Sequence, residues 1–84
     1  MSETSVIQTS KAVVVEALHA QDAYGDFASA HEAYGVLAEE VDELFDAIRL
    51  KQPNPERAPS IEREAIQIAA VALRLAEQAR RLTR

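Results

Sequence analysis

The stretch SAHEAYGVLAEEVDELFDAI, residues 29–48, decides the fold. Its apolar stripe is Tyr34, Leu37, Val41, Leu44, Phe45 and Ile48. Steps of three and four residues are the period of a helix with one buried face, where a strand would alternate every second residue. Ser29 is the expected N-cap, because its hydroxyl can accept a hydrogen bond from an otherwise unpaired amide of the first turn, and Glu32 three residues on completes a capping box. The helix should run to about Lys51, where Gln52-Pro53-Asn54-Pro55 stops it. Proline donates no backbone hydrogen bond and disfavours a helical residue before it. A loop is expected from there to Pro59.

Working outward, Ser60 can cap a third helix from about Ile61 to about Leu82. Between Ala65 and Ala76 the only charged residue is Arg74, and Ile66, Ile68, Val71, Leu73 and Leu75 point in several directions around the axis. A helix apolar nearly all round must be covered on more than one side. Two companion helices of one short chain can hardly do that, so self-association through the third helix is expected, as a homodimer or tetramer forming a helical bundle. The alanines at 65, 69, 70, 72, 76 and 79 would let neighbouring helices approach closely.

Upstream, a first helix is expected from about Ser5 to about Asp22, with Ile7, Val14 and Leu18 at helical spacing. The β-branched run at Val13, Val14 and Val15 lowers helix propensity, but a lone strand would find no partner strand in this sequence. Gly25 then breaks the pattern. The expectation is a single all-α domain, residues 1–84, of three helices.

Composition agrees. Eighty-four residues with 48% hydrophobic and 27% charged side chains, two glycines and three prolines describe a folded helical chain. A chain this short buries a modest fraction of its surface alone, which again favours assembly. Without cysteine there is no disulfide, thiolate metal site or thiol nucleophile. The N-terminus lacks the features of a secretory signal and no apolar run approaches a membrane span, so a cytoplasmic location and no membrane partner are expected. A net charge of −5 argues against non-specific binding of nucleic acid. The basic cluster Arg80, Arg81 and Arg84 is read as complementing a helix dipole at its C-terminus.

Five carboxylates fall within eight residues: Glu39, Glu40, Asp42, Glu43 and Asp46. At 3.6 residues per turn, Glu39, Asp42 and Asp46 lie opposite the Leu37-Val41-Leu44 stripe and are expected at the surface. Glu40 instead shares a strip with Ala33, Val36, Leu44 and Ala47, and Glu43 borders it one turn on. Glu64 points in the direction of Ile61, Ile68, Val71 and Leu75, into the bundle. A buried carboxylate takes up a proton or acquires a cationic partner. Arg63 and Arg74 do not share Glu64's apolar direction, so a divalent cation is the economical partner, and an all-oxygen ligand set suits Mg²⁺ or Mn²⁺. The three-residue spacing of Glu40 and Glu43 lets both face one ion.

The run Ser29-Ala-His-Glu-Ala-Tyr-Gly-Val-Leu-Ala-Glu-Glu-Val-Asp-Glu-Leu44, with Glu64-Ala-Ile-Gln-Ile-Ala-Ala-Val-Ala-Leu-Arg74 after a loop, resembles the MazG-like branch of the all-α nucleotide pyrophosphohydrolases. The resemblance extends from about Tyr24 to Leu75. It implies hydrolysis of a nucleoside triphosphate to the monophosphate and pyrophosphate with magnesium. By position it makes Glu40 and Glu43 the acids of an E-x-x-E motif, Glu39 the acid before them, and Glu64 the first acid of a second, E-x-x-D motif. The last acid of that motif is replaced here by Gln67, whose amide offers one oxygen to the ion directly or through water. The resemblance thus implies Glu40, Glu43, Glu64 and Gln67 around the metal, with Glu39 a further ligand or the group that positions or deprotonates the attacking water.

Lys51 and Arg57 flank the loop between the motif helices, within reach of phosphate. Tyr24, Phe27 and Tyr34 surround the turn into the second helix, as core packing or, for Tyr24, as a surface on which a nucleobase stacks. His31 and His19 are expected at the surface. Two other functions fit the same residues: a nucleotide-binding or regulatory relative with weak or lost chemistry, signalled by Gln67, and a structural helical adaptor, against which the inward Glu64 speaks.

Overall fold

A computed structural model describes residues 1–82 as three helices and, among them, no strand: α1 Glu3–Tyr24, α2 Ala30–Ile48 and α3 Arg57–Leu82. Ser2 caps α1, its hydroxyl accepting from the Ser5 amide at 3.1 Å while the Ser5 hydroxyl accepts from the Ser2 amide. The reciprocal pair explains why α1 starts two residues before the position expected from its apolar spacing. Gly25 ends α1 with φ of 71° and ψ of −161°, a combination open essentially to glycine, and its amide donates to the Gln21 carbonyl at 2.8 Å. Ser29 caps α2 as expected, accepting from the Glu32 amide at 3.0 Å, but the expected capping box is only half made, since the Glu32 side chain does not accept from the Ser29 amide.

Two boundaries beyond α1 also differ from expectation. α2 stops at Ile48, three residues before Lys51, and Arg57 Nε donates to the exposed Ile48 carbonyl. α3 begins at Arg57, so Ser60 is not its cap; the Ser60 amide donates to the Glu56 carbonyl at 3.0 Å. Pro59 falls inside the first turn, where the missing N–H would have had no intrahelical partner.

α3 is the centre of the molecule, packed by α2 on one side and by α1 on another, while α1 and α2 do not pack on each other. Ala33 meets Val71 and Glu43 meets Glu64, so α2 runs antiparallel to α3. The chain goes up, down and up. The core holds Phe27, Ala33 and Val71, flanked by half-buried Val36, Leu37 and Leu75.

The turn between α1 and α2 is fastened to the last turns of α3. Gln78 donates to the Phe27 carbonyl and accepts from the Phe27 amide, both at 2.9 Å. Arg74 donates to the Gly25 carbonyl and to Gln21, and its guanidinium lies 4.4 Å over the Phe27 ring. Arg81 pairs with Asp26 and Glu77 at 2.7 Å each, so it ties the turn down as well as ending a helix. Arg84 lies outside the described residues.

The stripe that marks α2 as helical is not the face α3 covers. Ala33 and Ala47 are buried and Val36, Leu37, Glu40 and Leu44 half-buried, whereas Tyr34, Val41, Phe45 and Ile48 are exposed. The apolar arc of α2 is wider than one neighbouring helix can cover, and α3 takes the side with the smaller residues. On α1, Ile7, Val14 and Leu18 are exposed in the same way. No helix among the described residues is long and apolar enough to cross a membrane.

Candidate metal centre

Glu40 and Glu43 stand one turn apart on the side of α2 that borders α3, and Glu64 stands on the facing side of α3. One carboxylate oxygen of each lies within 4.8 Å of the other two. Glu40 and Glu64 are half-buried and Glu43 is exposed, so the cluster is closed on the protein side and open on the other. The Glu64 side chain keeps 14% of its surface, and its Oε2 is buried without a hydrogen-bond partner. Its other oxygen is 3.6 Å from Arg63 Nε. Arg63 thus reaches across to Glu64, but from an exposed side chain that solvent screens. Arg74 is turned away and engaged by Gln21, Gly25 and Phe27.

Crowding of the carboxylates opposes ionisation of Glu40 and Glu43. Burial pushes the Glu40 carboxyl up to about 7, with the charges of Glu43 and Glu64 adding to it. Glu43 is raised as well, chiefly by its contact with Glu64. A hydrogen bond between two of these carboxyls exists only when one of them holds a proton; fully ionised, the cluster has acceptors and no donor. A cation resolves that.

The residues fit such an ion. Ligand oxygens of an octahedral Mg²⁺ are about 3 Å apart when adjacent and about 4.2 Å when opposite, so three oxygens within 4.8 Å of one another would have to draw together around the ion, a movement open to the exposed Glu43 side chain. Glu64 keeps one buried oxygen without a partner, as a carboxylate lacking its cation does, and carboxylates alone exclude a preference for a soft metal.

Beside the cluster runs a cleft of about 450 Å³ with α3 as its floor and α1 and α2 as walls. Glu40 and Gln67 line one part of it; Tyr24, Phe27 and Arg74 line another. Glu39 is exposed, next to the cluster and near enough to raise Glu43 further. Tyr24 stands on the cleft wall with 81% of its surface exposed, and Phe27 is core. Lys51 and Arg57 do not line the cleft, and the Arg57 guanidinium serves the Ile48 carbonyl.

Sequence reasoning missed the contribution of α1, whose Glu16 and Ala20 form one wall, and that of Glu32, which faces the cleft from the first turn of α2. The signal for α1 was its small residues: Ala17 and Ala20 sit where α1 meets α3, and neither stands out in a hydrophobic pattern.

Compared with protein-family models, curated proteins and solved structures, the chain has no significant match. Its function has therefore to be read from the site itself.

Proposed function

We propose that this chain is a Mg²⁺-dependent nucleoside triphosphate pyrophosphohydrolase of the MazG-like kind, releasing pyrophosphate and a nucleoside monophosphate. The observation that carries the reading is the convergence of Glu64, a carboxylate with one oxygen buried and partnerless, with Glu40 and Glu43 beside a cleft of nucleotide size. Glu40, Glu43 and Glu64 would hold the metal, which Mn²⁺ could replace, and Gln67 would complete the set through its amide oxygen. When bound, the ion neutralises phosphate oxygens and stabilises charge developing on them.

The protein's own groups supply the rest. Glu39 is solvent-facing beside the cluster and is suited to orient the water that attacks the α-phosphorus or to accept its proton. Tyr24 offers a ring at the cleft wall for stacking on the base. Arg74 places a positive charge in a cleft otherwise lined by Glu16, Asp26, Glu32 and Glu40. Self-association into a dimer or tetramer belongs to the same reading, with the exposed Leu73, Ala65, Ala72 and Ala76 of α3 available for helix contact.

Gln67 favours one second reading, a nucleotide-binding relative with weakened chemistry. Pyrophosphate release from a panel of nucleoside triphosphates, with and without Mg²⁺ or Mn²⁺, separates the two. Metal-dependent release lost in Glu40→Gln marks the enzyme; no release by the wild type, with activity gained in Gln67→Asp, marks the binding protein.

A further inference from the structure

Along α3, Arg74 stands ten residues beyond Glu64, about 15 Å at the helical rise. On the nucleotide reading above, with phosphates held near Glu64, Arg74 is at the end of the cleft where the base belongs. The floor between them is Ala70 and Val71, with Val36 on the α2 wall and Ala20 on the α1 wall, small or apolar side chains against which a flat ring can lie. Two groups there have hydrogen-bonding capacity left over. Arg74, the only basic residue of the cleft among the described residues, donates from Nε to Gln21 at 3.2 Å and from one terminal nitrogen to the Gly25 carbonyl at 3.0 Å. Gln21 is itself held by Asp26 at 2.7 Å, and Asp26 by Arg81. The guanidinium is thus fixed in place with its second terminal nitrogen unused. Glu16 is half-buried on the α1 wall and has no hydrogen-bond or ion-pair partner among the described residues. Its carboxylate accepts hydrogen bonds and donates none.

We infer that the cleft selects a guanine nucleotide, Glu16 accepting from the N1–H and the 2-amino group of the base and Arg74 donating to its O6. A fixed donor beside a carboxylate is a pattern that one common base completes. Along its Watson–Crick edge guanine presents an acceptor and then two donors. Uracil presents acceptor, donor, acceptor, which sets a carbonyl against one Glu16 oxygen. Adenine puts its amino group where Arg74 needs an acceptor. Cytosine reverses the whole pattern and turns two acceptors toward Glu16. An acceptor facing an acceptor costs more than a bond not made, because neither group keeps its water. Two parallel bonds to a single carboxylate also fix the plane of the ring. A simple organic cation would satisfy Glu16 but would meet the charge of Arg74 in the same cleft.

Titration calorimetry of the full chain with GMP, IMP, AMP, CMP and UMP, in the presence of Mn²⁺, tests this without relying on hydrolysis. GMP should bind about tenfold or more tighter than AMP, CMP and UMP. IMP, which keeps O6 and N1–H but lacks the 2-amino group, should fall between. Glu16→Gln sets a donor beside an acceptor, the complement of uracil, so GMP should weaken by about tenfold while UMP tightens. A residue that only supports the wall would weaken all five ligands alike, and that result overturns the proposal. So does equal affinity for the five in the wild type, an absence of GMP binding, or a guanine preference that survives Glu16→Gln. Guanine preference without pyrophosphate release from GTP would overturn the enzymatic reading and leave the base assignment standing. Release at equal rates from all four common triphosphates would do the reverse.

Discussion

Gln78 holds Phe27 by both of its backbone groups, accepting from the amide and donating to the carbonyl at 2.9 Å. An amide side chain suits this at any pH, having an acceptor and a donor side by side. The clamp fixes the turn that carries Phe27 into the core and Tyr24 to the cleft wall. Gln78→Leu keeps the bulk but leaves two half-buried backbone groups unpaired, at a cost of about 2 kcal/mol or more. Thermal unfolding followed by circular dichroism should show a fall of about 10 °C in Tm. An unchanged Tm would mean that solvent satisfies Phe27 as well as Gln78 does.

Helix number, the Ser29 cap and the inward aim of Glu64 were legible because each depends on periodicity or on a local hydrogen bond. The direction of α2 was not. Tyr34, Val41, Phe45 and Ile48 dominate its hydrophobic pattern by size, yet the intrachain contact goes to Ala33 and Ala47, since small residues let α3 approach closely. Nothing local announces that choice. The start of α3 was misjudged for a related reason: Pro53, Pro55 and Pro59 all read as loop, and Pro59 is compatible with a first turn only once Arg57 has begun one. The cleft was illegible because α1 enters it through Glu16 and Ala20, residues that have no motif.

The carboxylate cluster should bind Mg²⁺ or Mn²⁺ even without nucleotide. At a metal concentration a hundred times the dissociation constant, the folded state gains about 2.7 kcal/mol, which a thermal shift assay reads directly. Glu64→Gln should abolish that gain and, in the metal-free protein, raise Tm, because it removes one of three mutually repelling charges. A metal-dependent shift of wild-type size in Glu64→Gln would sink the site as drawn.

In metal-free protein the cluster makes stability fall with rising pH. The Glu40 carboxyl is raised from 4.5 to about 7 on folding, so the folded state binds its proton more tightly than the unfolded state does. This contribution is fully present below pH 4.5 and is lost as pH rises to about 7; Glu43 adds to it with the same sign. Asp26 works in the opposite direction but in a lower window, its carboxyl being held below 3.8 by Arg81 and Gln21. Urea unfolding at pH 5.5 and pH 8 should therefore give the higher midpoint at pH 5.5. Saturating Mn²⁺ should flatten or reverse the difference, since the ion takes the place of the proton. A Glu40→Gln variant that keeps the full wild-type difference would assign the pH dependence elsewhere.

Gln67→Asp is the most informative single change, because its two effects have opposite signs. Gln67 lines the cleft beside Glu40, so an aspartate there adds a fourth negative charge to a neighbourhood that already resists holding three. Without metal the variant should be less stable than the wild type, and more so at pH 8 than at pH 5.5. With metal the added carboxylate is a charged ligand in place of a neutral one, and affinity should rise by about tenfold or more, equivalent to about 1.4 kcal/mol. Titration calorimetry with Mn²⁺ on both proteins measures the second effect, and metal-free unfolding measures the first. If Gln67 is remote from the ion, stability will still fall through repulsion of Glu40 while metal affinity stays at the wild-type value. That pattern would restrict the ligand set to Glu40, Glu43 and Glu64.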